Sequence, residues 1–162
     1  MARRVFFSFH YERDVWRASQ VRNCWVTKDR DAAGFWDAAS WEAVQKKGDD
    51  AVKGWINRQL DGTSVTAVLI GSQTANREYV LYEIQRSHEE GKGLLGIYIH
   101  NMQDQNKLTT GKGANPFDRV YFDDGGGRKY LSSLYPTYDW VSGDGYKNFV
   151  YWVEWAAKKA GR

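Results

Sequence analysis

Tyr79 and Glu83 lie four residues apart in the segment SVTAVLIGSQTANREYVLYEIQRSHEEG, residues 64–91. Residues four apart share one face of a helix, so this spacing presents a carboxylate and an aromatic ring together. They follow a nearly continuous apolar run, Val65, Ala67, Val68, Leu69 and Ile70, which has the composition of a parallel strand buried on both faces. Gly71-Ser72-Gln73-Thr74 breaks the run, Asn76 is a helix-capping residue type, and Gly91 is a helix stop. Val80 and Ile84 are the core pair of the intervening helix. A carboxylate and a ring beside the end of a buried strand can hold a sugar or a cationic ring. The competing reading leaves Glu83 solvated on the helix surface, paired with Arg86 or Ser87, as such carboxylates often are.

The elements that must position these residues can be read in order. Residues 3–9, RRVFFSF, form a first strand too apolar for a sheet edge. His10-Tyr11-Glu12-Arg13 leave it as a polar loop, and a helix from Asp14 to about Trp25 turns Val15, Ala18, Val21 and Trp25 inward. Residues 34–38 read as a short strand, and Trp41 and Val44 begin a helical pattern. Asp49-Asp50 open a helix with Val52, Trp55, Ile56 and Leu60 on one stripe, closed by Asp61-Gly62. Residues 94–99 make another buried strand.

The polar stretch at about 100–133, loosest at Gly125-Gly126-Gly127, reads as an insertion or lid rather than core. Tyr135 to Trp140 supply an edge strand, because Pro136 cannot donate to a ladder. A terminal helix from Asp144 turns Tyr146, Phe149, Val150, Val153 and Ala157 inward. Strands alternating with helices predict an α/β three-layer sandwich: a five-stranded, mainly parallel sheet with helices on both faces. Its flavodoxin-like order is 2-1-3-4-5, and ligands bind at the switch point flanked by strands one and three. That topology places Phe9, His10, Tyr11 and Ser72 at one crevice, bordered by the helix carrying Tyr79 and Glu83.

The 162 residues, 18.7 kDa, suffice for one domain with a full core, spanning 1–162. The net charge of +3 is small and its charges are interleaved, so no nucleic-acid partner is expected. Cys24 stands alone, which excludes an internal disulfide and a thiolate zinc cluster, and His10, His88 and His100 fit no metal-ligand spacing. No metal is expected. The opening Met-Ala-Arg-Arg lacks the pattern of a signal peptide, and no apolar run approaches a membrane span. The expectation is a soluble, cytoplasmic protein with no membrane partner. Eight tryptophans and ten tyrosines supply core packing, and some can line a pocket for a flat ligand.

Several chemistries fail on the residues. A phosphorelay receiver needs an aspartate ending strand three, where Ile70-Gly71-Ser72 stands. A flavodoxin needs a Ser/Thr/Gly-rich phosphate loop after strand one, where Ser8-Phe9-His10-Tyr11 stands. Gly111-Lys112-Gly113 lacks the P-loop frame. What remains is one candidate carboxylate among aromatics. Hydrolysis at a sugar C1 passes through an oxocarbenium-like state that a carboxylate stabilises. A leaving group that is already cationic, as nicotinamide is in NAD, needs no general acid, so one glutamate can suffice.

The opening RVFFSFHYERD resembles the first box of the TIR domain. Tyr79-Val80-Leu81-Tyr82-Glu83 is similar to the TIR helix in which an aromatic residue precedes the catalytic glutamate by four. VFFSFHY, VRNCWVTK, SVTAVLIGSQT, YVLYEI, NPFD and YDWVSGDGY, in this order, resemble the TIR-like branch that includes the ThsB subunit of bacterial Thoeris anti-phage defence. The resemblance implies a TIR-like enzyme that cleaves NAD at the nicotinamide–ribose bond and makes a cyclic ADP-ribose isomer or related conjugate. NAD is then substrate, with no permanently bound cofactor. The product activates a separate, ThsA-like effector.

Carried over by motif, Glu83 matches the catalytic glutamate. Phe9 and His10 match the strand end on the nicotinamide side, and Tyr79 supports Glu83 from one turn earlier. The second TIR box is absent; Trp36 and Asp37 stand near its place and are the candidates to replace it. In many TIR enzymes that loop completes a neighbour's site, which makes self-assembly a further expectation. Two other classes remain open: a non-catalytic TIR-like protein-interaction module, and a nucleoside deoxyribosyltransferase-like N-glycosidic enzyme.

Overall fold

A computed structural model describes residues 3–26, 30–35 and 38–162. Its main sheet contains β1 (Arg4–Ser8), β2 (Asp31–Ala33), β3 (Val65–Ile70), β4 (Gly93–Tyr98) and, after a small hairpin of β5 (Tyr121–Asp123) and β6 (Arg128–Tyr130), β7 (Thr137–Asp139). The order is β2-β1-β3-β4-β7 and every pairing is parallel, so β7 is the fifth strand of the predicted 2-1-3-4-5 order. Helices α1 (Tyr11–Val26), α2 (Ala38–Lys46), α3 (Asp49–Leu60), α4 (Glu78–Glu89) and α5 (Gly145–Lys159) cover the two faces.

Side chains of β1 alternate between those faces. Val5 and Phe7, with Phe9 just beyond the strand, enter a core shared with Ala18, Val21 and Trp25 of α1 and Phe149 and Val153 of α5. Phe6 faces the other way, onto Trp41 of α2 and Val52, Ile56 and Leu60 of α3. Ser8, two residues after Phe6, shares that second face. On β3 the same alternation sends Val68 and Ile70 under α4, against Val80 and Ile84. A polar atom on the second face of β1 therefore meets α4, which is the structural basis of the site.

Five sequence expectations are corrected. The strand expected within residues 34–38 comes earlier, at β2. Gly34 turns the chain out of the sheet with φ +90, and a Cβ there would lie 2.4 Å from the Phe7 carbonyl oxygen. Phe35 then packs edge-on against Phe7 (5.6 Å between ring centroids) instead of extending a ladder. The loop expected at residues 11–13 is the first turn of α1: the Asp14 N–H donates to the His10 carbonyl (2.9 Å), and Glu12 and Asp14 suit the positive helix start.

Asn76 does not cap α4; it ends a 3₁₀ turn, Thr74–Asn76, and Arg77 occupies the cap position. Residues 100–133 do not stand clear of the core. Phe117, Val120 and Leu131 are buried against Val68, Ile70, Val80 and Leu94, because the stretch spaces single large apolar residues among its polar ones. Tyr146 of α5, expected inward, is exposed. Among the described residues, no helix is long and apolar enough to cross a membrane.

Candidate active site

Glu83 reaches back from the second turn of α4 to the end of β1. Its carboxylate Oε1 accepts a hydrogen bond from Ser8 Oγ at 2.9 Å, across 75 residues of sequence. Ser8 is fully buried and Glu83 is 7% exposed. Among the described residues Ser8 is its one side-chain partner, and it is neutral. Burial therefore dominates: it pushes the Glu83 carboxyl up to about 8, with the Ser8 hydroxyl and the Arg77 charge pulling weakly the other way. The surface reading of Glu83 does not hold. Arg86 pairs instead with Glu89 and Glu90, and the Ser87 hydroxyl donates to the Glu83 backbone carbonyl.

Glu83 opens into a narrow cleft with about 20 Å³ of free interior volume, room for about one water. Phe7, Ile56 and Val80 are its most deeply buried lining residues. One wall is a chain of rings: Phe9 to Tyr11 at 6.2 Å between centroids, Tyr11 to Trp41 at 6.1 Å, and Trp41 to Tyr79 edge-on at 6.1 Å. Tyr79 is fixed at its far end, its hydroxyl donating to Asp49 Oδ1 at 3.0 Å, which ties α4 to the start of α3. Arg77 lines the same cleft and is held at 2.8 Å by Glu12. A confined carboxyl facing an aromatic wall has the chemistry to hold a flat, positively charged ring joined to a sugar, once the rings part to admit it.

Phe9, Tyr11, Tyr79 and Glu83 are thus brought together. His10 and Ser72 lie on the neighbouring loops and do not line this cleft. His10 Nδ1 accepts the Arg13 backbone N–H (3.3 Å), so its 3.5 Å approach to Glu12 is not a proton-sharing contact. Burial and the Arg77 charge hold the imidazole below its ordinary range, and it is neutral near pH 7. Ser72 lines a separate polar cavity with Arg13, Asp14, Arg17, Thr109 and Thr110. Trp36 and Asp37 lie outside the described residues. Among the described residues no group of three or more His, Cys, Asp or Glu is placed to hold a metal ion.

Three lining or supporting residues escaped the sequence reading. Ser8 carried a signal, a lone hydroxyl inside Phe7-Ser8-Phe9 on the face that alternation gives to α4. Trp41 reads as helix core from its spacing with Val44, and it is indeed buried while also exposing an edge to the cleft. Arg77 carried none, since its position depends on the 3₁₀ turn before α4.

Comparison with known proteins points to the same residues' family. Residues 6–104 match the family described as Thoeris protein ThsB, TIR-like domain. That span includes the end of β1 with Ser8, the aromatic wall and Glu83. The chain is also 43% identical over 191 aligned positions to a Bacillus cereus (strain MSX-D12) protein named "Putative cyclic ADP-D-ribose synthase ThsB1", covering 94% of this chain and 100% of that one. The chain belongs to the ThsB family of TIR-like Thoeris proteins.

Proposed function

We propose that the chain is an NAD-processing enzyme that breaks the nicotinamide–ribose bond and forms a cyclic ADP-ribose-type signal. The observation that carries this reading is Glu83, a carboxyl buried in an aromatic-walled cleft with only a neutral hydroxyl as partner. The C1–N bond breaks with its electron pair leaving on nicotinamide, which departs neutral. The positive charge passes to the ribose C1 and ring oxygen, where the Glu83 carboxylate stabilises it. A nucleophilic atom at the adenosine end of the same molecule then bonds to C1 and gives up its proton to solvent, which closes the cyclic product.

The high carboxyl value gives this site a built-in response. Near neutral pH Glu83 is mostly protonated in the empty cleft, and a pyridinium entering beside it favours the ionised form. Phe9, Tyr11 and Tyr79 hold the ring. His10 and Ser72, on the loops after β1 and β3, contact the substrate beyond the ring, and Trp36 and Asp37 take the place of the missing second TIR box. No cofactor is bound permanently. The signal acts in the cytoplasm on a separate ThsA-like effector, and the chain works as a self-assembled form. The name of the Bacillus relative and the Thoeris family membership support this scheme. A protein-interaction module would have no use for a carboxyl desolvated in this way, so that alternative ranks second.

In infected cells carrying this chain and its effector, Glu83→Gln abolishes protection while the protein accumulates normally. Protection equal to the parent's would refute the assignment.

A further inference from the structure

Among the described residues, Arg77 is the one cation lining the Glu83 cleft. Its Nη2 lies 2.8 Å from Glu12 Oε2 and 3.0 Å from Oε1, so one guanidinium nitrogen is shared between both oxygens of a carboxylate. The pair is partly exposed, with side-chain accessibilities of 30% for Arg77 and 48% for Glu12. Exposed pairs of this kind contribute little to stability, and this one joins only the first turns of α1 and α4. Yet Arg77 acts on the cleft: its charge is among the causes drawing Glu83 down against burial. Burial lifts Glu12, but its backbone hydrogen bond and Arg77 outweigh that and keep it ionised. Two oxygens of a phosphate present the same edge to a guanidinium as the Glu12 carboxylate does.

Arg77 precedes Glu83 by six residues, about 9 Å of helix rise. Both side chains nevertheless line one cleft, so a ribose whose C1 is at Glu83 can turn its 5′-phosphate towards Arg77. Resting on the proposed function above, we infer that Arg77 determines specificity for phosphate-bearing nicotinamide nucleotides, and that Glu12 holds the phosphate's place until the substrate displaces it.

Binding of three ligands to the purified full chain, followed by calorimetry or ligand-observed NMR, tests this. NAD carries two phosphates, nicotinamide mononucleotide one and nicotinamide riboside none, while all three carry the same pyridinium ribose. Arg77→Gln weakens NAD and the mononucleotide by roughly ten- to a hundredfold and leaves the riboside within about twofold. Glu12→Gln, which removes the competitor, tightens the two phosphate-bearing ligands several-fold. A change in Glu83 alone would move all three ligands together. Equal weakening of the three, or none, in Arg77→Gln overturns the assignment. Unchanged or weaker NAD binding in Glu12→Gln overturns it independently, should the arginine variant fold poorly. A parent chain that binds none of the three overturns the proposed function itself.

Discussion

Two carboxyls are buried near the carboxyl end of the sheet, and their surroundings differ. Asp14, in the first turn of α1, is 2% exposed and its Oδ1 sits 3.4 Å from Arg17, itself 5% exposed. Arg17 is further held by the carbonyls of Met102 and Leu108 at 2.8 Å each. Burial raises Asp14 and the Arg17 charge opposes it. The loop after β3 closes over this pair, and Gly71 is required there because a Cβ would lie 2.2 Å from Asp14 Oδ2. Glu83, on the other side of the sheet, has a hydroxyl where Asp14 has a guanidinium, and a cleft where Asp14 has packed backbone. A buried carboxylate that already owns a cation is committed to structure. One that lacks a cation, and opens on aromatic rings, is left to be completed by a ligand.

Removing the committed charge does the greater harm to the fold. Asp14→Ala leaves Arg17 only the more distant Asp104 carboxylate, at 3.7 Å, and destabilises the protein by about 3 kcal/mol, measured by urea unfolding. Gly71→Ala, which forces the loop off Asp14, acts in the same direction.

Removing the uncommitted charge does the reverse. The Glu83 carboxyl titrates near 8 in the fold and near 4.5 unfolded, so the folded state holds the extra proton between those values and loses stability as pH rises through them. At about 1.4 kcal/mol per pH unit, ionising it costs the fold on the order of 5 kcal/mol by pH 9. Glu83→Gln is therefore more stable than the parent at pH 9 and no more stable near pH 4. A destabilised Glu83→Gln at pH 9 would place Glu83 in Asp14's class.

Activity sharpens the contrast. For the parent, kcat/KM for NAD rises about tenfold per pH unit up to pH 8 and then levels, because only the ionised Glu83 steadies the ribosyl cation. The limb in kcat falls at lower pH, since bound pyridinium favours the carboxylate. Ser8→Ala removes the one donor to that carboxylate and lowers kcat/KM at pH 7 roughly tenfold, shifting the limb upward. Tyr79→Phe, which loses only the Asp49 bond, costs less than about 1 kcal/mol of stability.

The strand order and the placement of Tyr79 with Glu83 were legible because both follow from period. Val65–Ile70 is apolar at every position but Thr66, as a strand covered on both faces tends to be, and a spacing of four puts two side chains on one helix face. The edges of elements were not legible. Glu12 and Arg13 look like loop residues until the His10 carbonyl starts the helix, and Asn76 looks like a cap until the chain takes one 3₁₀ turn more. Residues 100–133 misled through composition: Phe117 and Leu131 are too far apart to show a period, yet each fills the core beneath α4. Arg77 and Ser8 reach the site only through tertiary contact.

Nicotinamide released from NAD by the purified chain, in lysate of phage-infected cells to supply any trigger, weighs the two carboxyls directly. The account predicts release by the parent and a loss of about a hundredfold or more in Glu83→Gln. Release by Glu83→Gln at the parent's rate would contradict it.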